Sequence, residues 1–150
     1  MARFQTFEDR TTPAQGRERI ARLRAELERR GYAGFVVPRA DEHQSEYVPP
    51  NAERLAWLTG FTGSAGTAIV LLEKAALIVD GRYILQAAEQ IDTNLFTPVL
   101  LSDKSPEDWI AENLPAGAVL AYDPWLHTSD GCKRLERAVE RAGGRLSSLH

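Results

Sequence analysis

Five short apolar runs set the strongest limit on what this chain can fold into. They are Gly34 to Pro38, Thr67 to Leu72, Ala75 to Val79, Phe96 to Leu101 and Ala118 to Tyr122. Runs of this length bounded by turn residues read as strands, and Gly34-Phe35-Val36-Val37-Pro38 is apolar on both faces, as a buried strand requires. Helical patterns lie around them. Thr12-Pro13-Ala14-Gln15 opens a helix with a cap, a proline at the first position and a capping-box glutamine. Ile20, Leu23 and Leu27 form its apolar stripe, and Gly31 ends it. Further helical stretches are expected over Ile84 to Ile91, from Ser105 to Pro115, and from about Ser129 to Ala142. The last carries Cys132, Leu135, Val139 and Ala142 on one face, with Gly143-Gly144 as its stop. Glu73-Lys74 separates two of the apolar runs, which predicts an antiparallel hairpin. Arg145 to His150 reads as another strand, and the chain stops as that strand begins, the pattern of a piece of a longer protein. The fold class that follows is α/β: a mixed sheet flanked by helices. Residues 1–11 are expected to be a leader and 12–150 the domain.

Composition narrows the function. A formal net charge of −3 supplies no basic surface for nucleic acid. No apolar run approaches the roughly 20 residues of a membrane helix, and Met1 to Arg10 lacks the apolar core of a signal peptide. The single cysteine, Cys132, has no partner for an internal disulfide, and a cytoplasmic setting is expected. No nucleic acid and no membrane partner is expected.

Three segments concentrate chemistry-bearing residues. Asp41-Glu42-His43-Gln44-Ser45-Glu46-Tyr47 offers His43, Glu46 and Asp41 as metal ligands, but a closed site needs three or four in fixed geometry, and a solvated polar loop is the favoured reading. Gly60-Phe61-Thr62-Gly63-Ser64-Ala65-Gly66 is glycine-rich, yet it precedes a strand instead of opening a helix, so it reads as a tight turn and not a phosphate cradle. Ser64 lies outside a nucleophile-elbow frame. Asp80-Gly81-Arg82-Tyr83 follows a strand, at the edge where open α/β sheets place ligands. Arg82 is a permanent cation whose planar fork suits a carboxylate or a peptide carbonyl; an Asp80–Arg82 surface pair that only shapes the turn is an equal alternative. His127 and His150 are assigned surface or packing roles, and Trp57, Trp109 and Trp125 core or cleft packing. No nucleophile–base pair, metal cage or cofactor loop emerges.

Taken together and in this order, the segments from Asp41 to Tyr47, from Gly60 to Ala68 and from Asp80 to Ala87 resemble the creatinase/prolidase-type N-terminal domain of the Xaa-Pro aminopeptidases (aminopeptidase P, peptidase family M24), in the long three-domain form. The resemblance runs from about residue 14 to the end of the chain. It implies a ribonuclease-H-like sheet and a substrate-positioning, architectural role in a metallo-aminopeptidase that removes the residue preceding a proline. It also implies a separate C-terminal domain holding two divalent ions, usually manganese, through two Asp, one His and two Glu. None of those ligand motifs is present in this chain, so no catalytic or metal-binding residue is carried over and the chain alone is expected to be inactive. Arg82 is carried over as a substrate-binding residue reaching toward the peptide, with Asp41 and His43 placed near the interdomain cleft. The implied partners are a peptide with proline in second position, the chain's own catalytic domain and, for the full-length protein, a second copy. The alternative is a non-catalytic peptide- or protein-binding scaffold, as in creatinase-like pseudoenzymes. A prolidase or creatinase relative is a third reading, which the long-type motifs disfavour.

Overall fold

The computed structural model describes residues 13–38, 59, 66–123 and 127–148, with side chains in the first stretch from 16 to 37. The expected leader, the loop that carries Asp41, His43 and Glu46, the helical turn expected over 54–58, most of the glycine-rich segment, Trp57, Trp125 and His150 lie outside the described residues.

Helix α1 (Pro13–Arg29) leads into strand β1 (Gly34–Pro38). Strands β2 (Thr67–Leu71) and β3 (Ala75–Val79) follow, then a single 3-10 turn (Gly81–Tyr83), helix α2 (Ile84–Gln90) and strand β4 (Thr97–Leu100). Helix α3 (Pro106–Asn113), strand β5 (Val119–Tyr122), helix α4 (Ser129–Ala142) and strand β6 (Arg145–Ser148) complete the order. The strands form one six-stranded sheet in the order β4-β3-β2-β1-β5-β6. β2 runs antiparallel to both its neighbours, whereas the β1–β5, β3–β4 and β5–β6 pairs are parallel.

Chirality then dictates the layers. Parallel crossovers are right-handed, so connections that run toward opposite edges of the sheet must pass over opposite faces. The β3-to-β4 connection runs toward one edge, and those from β4 to β5 and from β5 to β6 run the other way. The core divides accordingly. On one face Ile20 and Leu27 of α1 and Ala87 of α2 pack with Phe35, Val37, Ala68, Val70, Leu77 and Val79. On the other, Trp109 and Ile110 of α3 and Leu135, Ala138 and Val139 of α4 pack with Val36, Ile69, Leu71, Ala76, Ile78 and Leu120. Alternate residues of each central strand feed alternate layers, so β2 from Ala68 onward and all of β3 are apolar because both faces are covered.

The ends of the elements carry the expected chemistry. Gly31 closes α1 at φ 82°, with the Tyr32 N–H donating to the Leu27 carbonyl at 2.8 Å. Gly143 does the same for α4 at φ 83°, with the Gly144 N–H donating to Val139 at 2.9 Å. Ser105 Oγ accepts from the Asp108 N–H at 3.1 Å and caps α3. The last helix, expected to begin at about Ser129, is capped by the adjacent Thr128, whose Oγ1 accepts from the Gly131 N–H at 2.9 Å. One expectation is corrected. The hairpin turns at Leu72-Glu73 and not at Glu73-Lys74: the Leu71 N–H donates to the Lys74 carbonyl at 2.8 Å, so Lys74 belongs to the closing pair. Arg24 of α1 secures that end, its Nε donating to the Leu71 carbonyl at 2.7 Å.

Gly34 marks the tightest point of the sheet. A Cβ there would meet Leu71 Cδ2 at 2.4 Å, the Val70 carbonyl oxygen at 2.8 Å and Leu120 Cδ1 at 3.1 Å. Gly34→Ala should therefore destabilise the chain by about 2 kcal/mol, the usual scale of overpacking. Gly16→Ala, in an open stretch of α1 with Leu95 Cδ1 at 3.6 Å, should be neutral or stabilise by up to about 1 kcal/mol. Urea denaturation of both variants checks the contrast, and equal midpoints would contradict it.

Candidate functional site

The carboxyl ends of β1, β3, β4, β5 and β6 and the start of β2 lie along one edge of the sheet, since β2 alone runs the other way. Pro38 pairs with Thr67 there, so both boundaries of the segment 39–66 sit on this edge. Two groups of polar side chains occupy it, one after β3 and one after β5.

After β3 the backbone turns sharply. Asp80, extended at φ −80° and ψ 171°, caps the 3-10 turn by accepting the Arg82 N–H on Oδ1 at 2.9 Å. Its other oxygen, Oδ2, accepts from Arg82 Nη2 at 3.1 Å. The Arg82 guanidinium also stands over the Tyr83 ring, 5.3 Å from its centroid, a cation–π placement. Arg82 holds the Asp80 carboxyl below the usual carboxylate range, and Asp80 in turn raises the guanidinium. The Arg82 side chain is 76% exposed and that of Asp80 33%. Leu85, in the first turn of α2, is exposed nearby on the chain, and Leu101, just past β4, is exposed where its N–H donates to the Val79 carbonyl at 2.7 Å. The turn-shaping pair expected of this tetrad is present, and the cation it holds faces solvent.

After β5 the environment is different. His127, assigned a surface or packing role, packs edge-on to Tyr122, with ring centroids 5.7 Å apart and planes at 71°. Burial pushes its pKa down to about 4 against a smaller opposing pull from Asp123. Nε2 is buried with no hydrogen-bond partner among the described residues. Burial also pushes Tyr122 up, helped by the neighbouring Cys132 and Glu136. Cys132, on the apolar face of α4, is half-buried beside Tyr122. Sequence periodicity missed this group because its members come from a strand end, a loop and a first helical turn; only placement at a strand's carboxyl end could have signalled it. Three strand spacings separate β3 from β5, about 14 Å, so the structure brings Arg82 and His127 to one edge but not to one site. Trp109, as expected, packs in the core.

Among the described residues no cluster of three His, Cys, Asp or Glu side chains is placed to hold a metal ion. No helix among them is long and apolar enough to cross a membrane.

This architecture has relatives. The Creatinase/Prolidase N-terminal domain pattern matches residues 19–149. The chain belongs to that family. Among curated relatives, the probable Xaa-Pro aminopeptidase P of Ajellomyces dermatitidis is 40% identical over 139 residues, covering 91% of this chain and 22% of that protein. The corresponding protein of Coccidioides posadasii is 38% identical over 147 residues, covering 97% and 23%. The chain thus spans about a fifth of the length of these relatives. Among solved structures, the X-prolyl aminopeptidase of Caenorhabditis elegans, described as a cytosolic enzyme with a di-nuclear active site, superposes with a TM-score of 0.77 at 29% identity, over 89% of this chain and 24% of that one. The N-terminal domain of the cytoplasmic peptidase PepQ from Mycobacterium tuberculosis, solved on its own, gives 0.68 at 25% identity over 88% and 92%. These matches bear out both the resemblance and the α/β fold class, a mixed sheet with flanking helices.

The half-buried histidine gives this creatinase-type domain a specific pH response. Its folded pKa lies below the ordinary 6.5, so the unfolded chain binds the extra proton and stability falls as pH drops from 6.5 toward about 4. The loss should be on the order of 2 kcal/mol, less than the full shift because the ring is partly exposed. Asp80 and Glu26 are both held below their ordinary carboxylate values by arginine partners and, being exposed to solvent screening, contribute little to this response. His127→Gln should flatten the profile of urea midpoints between pH 6.5 and 4; an unchanged slope would assign it elsewhere.

Proposed function

We propose that this chain is the N-terminal substrate-positioning and architectural domain of a longer Xaa-Pro aminopeptidase, which removes the first residue of peptides with proline in second position. The domain spans residues 12–150 and makes no bonds itself. Hydrolysis belongs to a C-terminal domain carrying two divalent ions, manganese by preference, and the whole enzyme works in the cytoplasm, as a homodimer. The observation that carries this reading is Arg82: a fixed, permanently charged fork, 76% exposed, at the carboxyl edge of a sheet whose other polar groups make no metal cage among the described residues. A fixed cation can hold a peptide carbonyl or carboxylate and so contribute through orientation alone. Asp41 and His43 fall in the segment whose two boundaries sit on the same edge, and we assign them to the substrate side of the cleft.

The scaffold alternative has less behind it, since the relatives at about 40% identity carry aminopeptidase names. In the full-length protein, Arg82→Ala should lower kcat/KM for Xaa-Pro peptides about 10- to 100-fold, the scale of a lost charged hydrogen bond. Metal content should stay at the wild-type value. Unchanged kinetics on every peptide length would reduce Arg82 to a turn residue.

A further inference from the structure

Asp80 does two separable things with one carboxylate. Oδ1 accepts the Arg82 backbone N–H at 2.9 Å and fixes the turn. Oδ2 accepts from the Arg82 guanidinium at 3.1 Å and balances its charge at short range. A guanidinium has five N–H donors, and this contact engages Nη2 alone. The Tyr83 ring covers one face of the fork at 5.3 Å, and the side chain is otherwise open to solvent. The remaining donors stay available for hydrogen bonds, but the field they offer an incoming group is that of an ion pair and not of a free cation. A neutral carbonyl oxygen loses little by this, because its hydrogen bond depends on local donor geometry. A free carboxylate loses more, because it meets the repulsion of Asp80 together with the attraction of Arg82.

We propose that Asp80 is a specificity-determining positioning residue, which aims Arg82 at a neutral peptide carbonyl and discriminates against a free C-terminal carboxylate. This rests on the reading that Arg82 faces the substrate. The residue acts through Arg82 and touches no reacting atom. Its consequence is a preference in substrate length: peptides whose chain continues past Arg82 present a carbonyl there, whereas peptides that end there present an anion and bind less well.

The experiment uses the full-length protein and matched Xaa-Pro peptides that end either in a free carboxylate or in an amide. Asp80→Asn keeps an oxygen for the Arg82 N–H, so the turn is preserved, and removes only the charge. The ratio of KM for acid to KM for amide should fall about two- to five-fold at the length that ends at Arg82, the range of an exposed ion pair. The change should fade at about 0.5 M salt, where exposed charges are screened. Asp80→Glu, which restores the charge, should return the ratio toward wild type. An unchanged ratio in Asp80→Asn, with Arg82→Ala still lowering kcat/KM for acid and amide alike, would overturn the proposal and leave the reading of Arg82 standing. If Arg82→Ala altered neither substrate, both would fall.

Discussion

Gly34 to Pro38 lies against Leu71 to Thr67 in antiparallel register, and the geometry of the whole edge depends on that pairing. β2 is the one strand of the sheet that runs against the rest, and it returns the chain so that β3 again runs with β1. Asp80 therefore emerges at the edge where β1 and β5 also end. The pairing admits no slack. Gly34 has neither room for a methyl group nor an alternative partner, with Leu71 on one side and Leu120 on the other. A slip of one residue would send Ile69 and Leu71 to the layer of α1 and α2, exchanging the two cores.

What projects from that edge differs in kind between its two groups. His127 and Tyr122 are built into the protein, shielded enough that burial governs their protonation. Asp80 and Arg82 are set on top of it, exposed and paired with each other. Exposed ion pairs add little to stability, so the fold itself does not require an arginine at position 82. A turn needs a capping carboxylate and a tight bend, which Asp80 and Gly81 supply. The cation is extra to the fold, as expected of a side chain kept for binding.

Much of this was legible in residue order. The stripe of Ile20 and Leu27, the stop at Gly31, the cap at Ser105 and the two-faced burial of β1 all follow from local rules, because each depends on neighbours along the chain. The failures share the opposite cause. Leu72 entered the hairpin turn because element ends are decided by which carbonyl and amide meet in space. For His127 a packing role could be named but not its partner, because Tyr122 comes from β5 and meets it only in space. At the site, Asp80 and Arg82 are two positions apart, so their pairing could be anticipated while the direction Arg82 faces could not. The family resemblance filled that gap with an expectation, and the structure adds the exposure and the partner.

On the proposed reading, this domain reaches the substrate through Arg82. A crystal structure of the full-length protein with a non-hydrolysed Xaa-Pro peptide bound puts that reading to the test. The Arg82 guanidinium should lie within about 3.2 Å of a peptide carbonyl oxygen, a normal hydrogen-bond distance, with Asp80 still holding its Nη2. A guanidinium still facing bulk water, with the peptide held wholly by other residues, would contradict it.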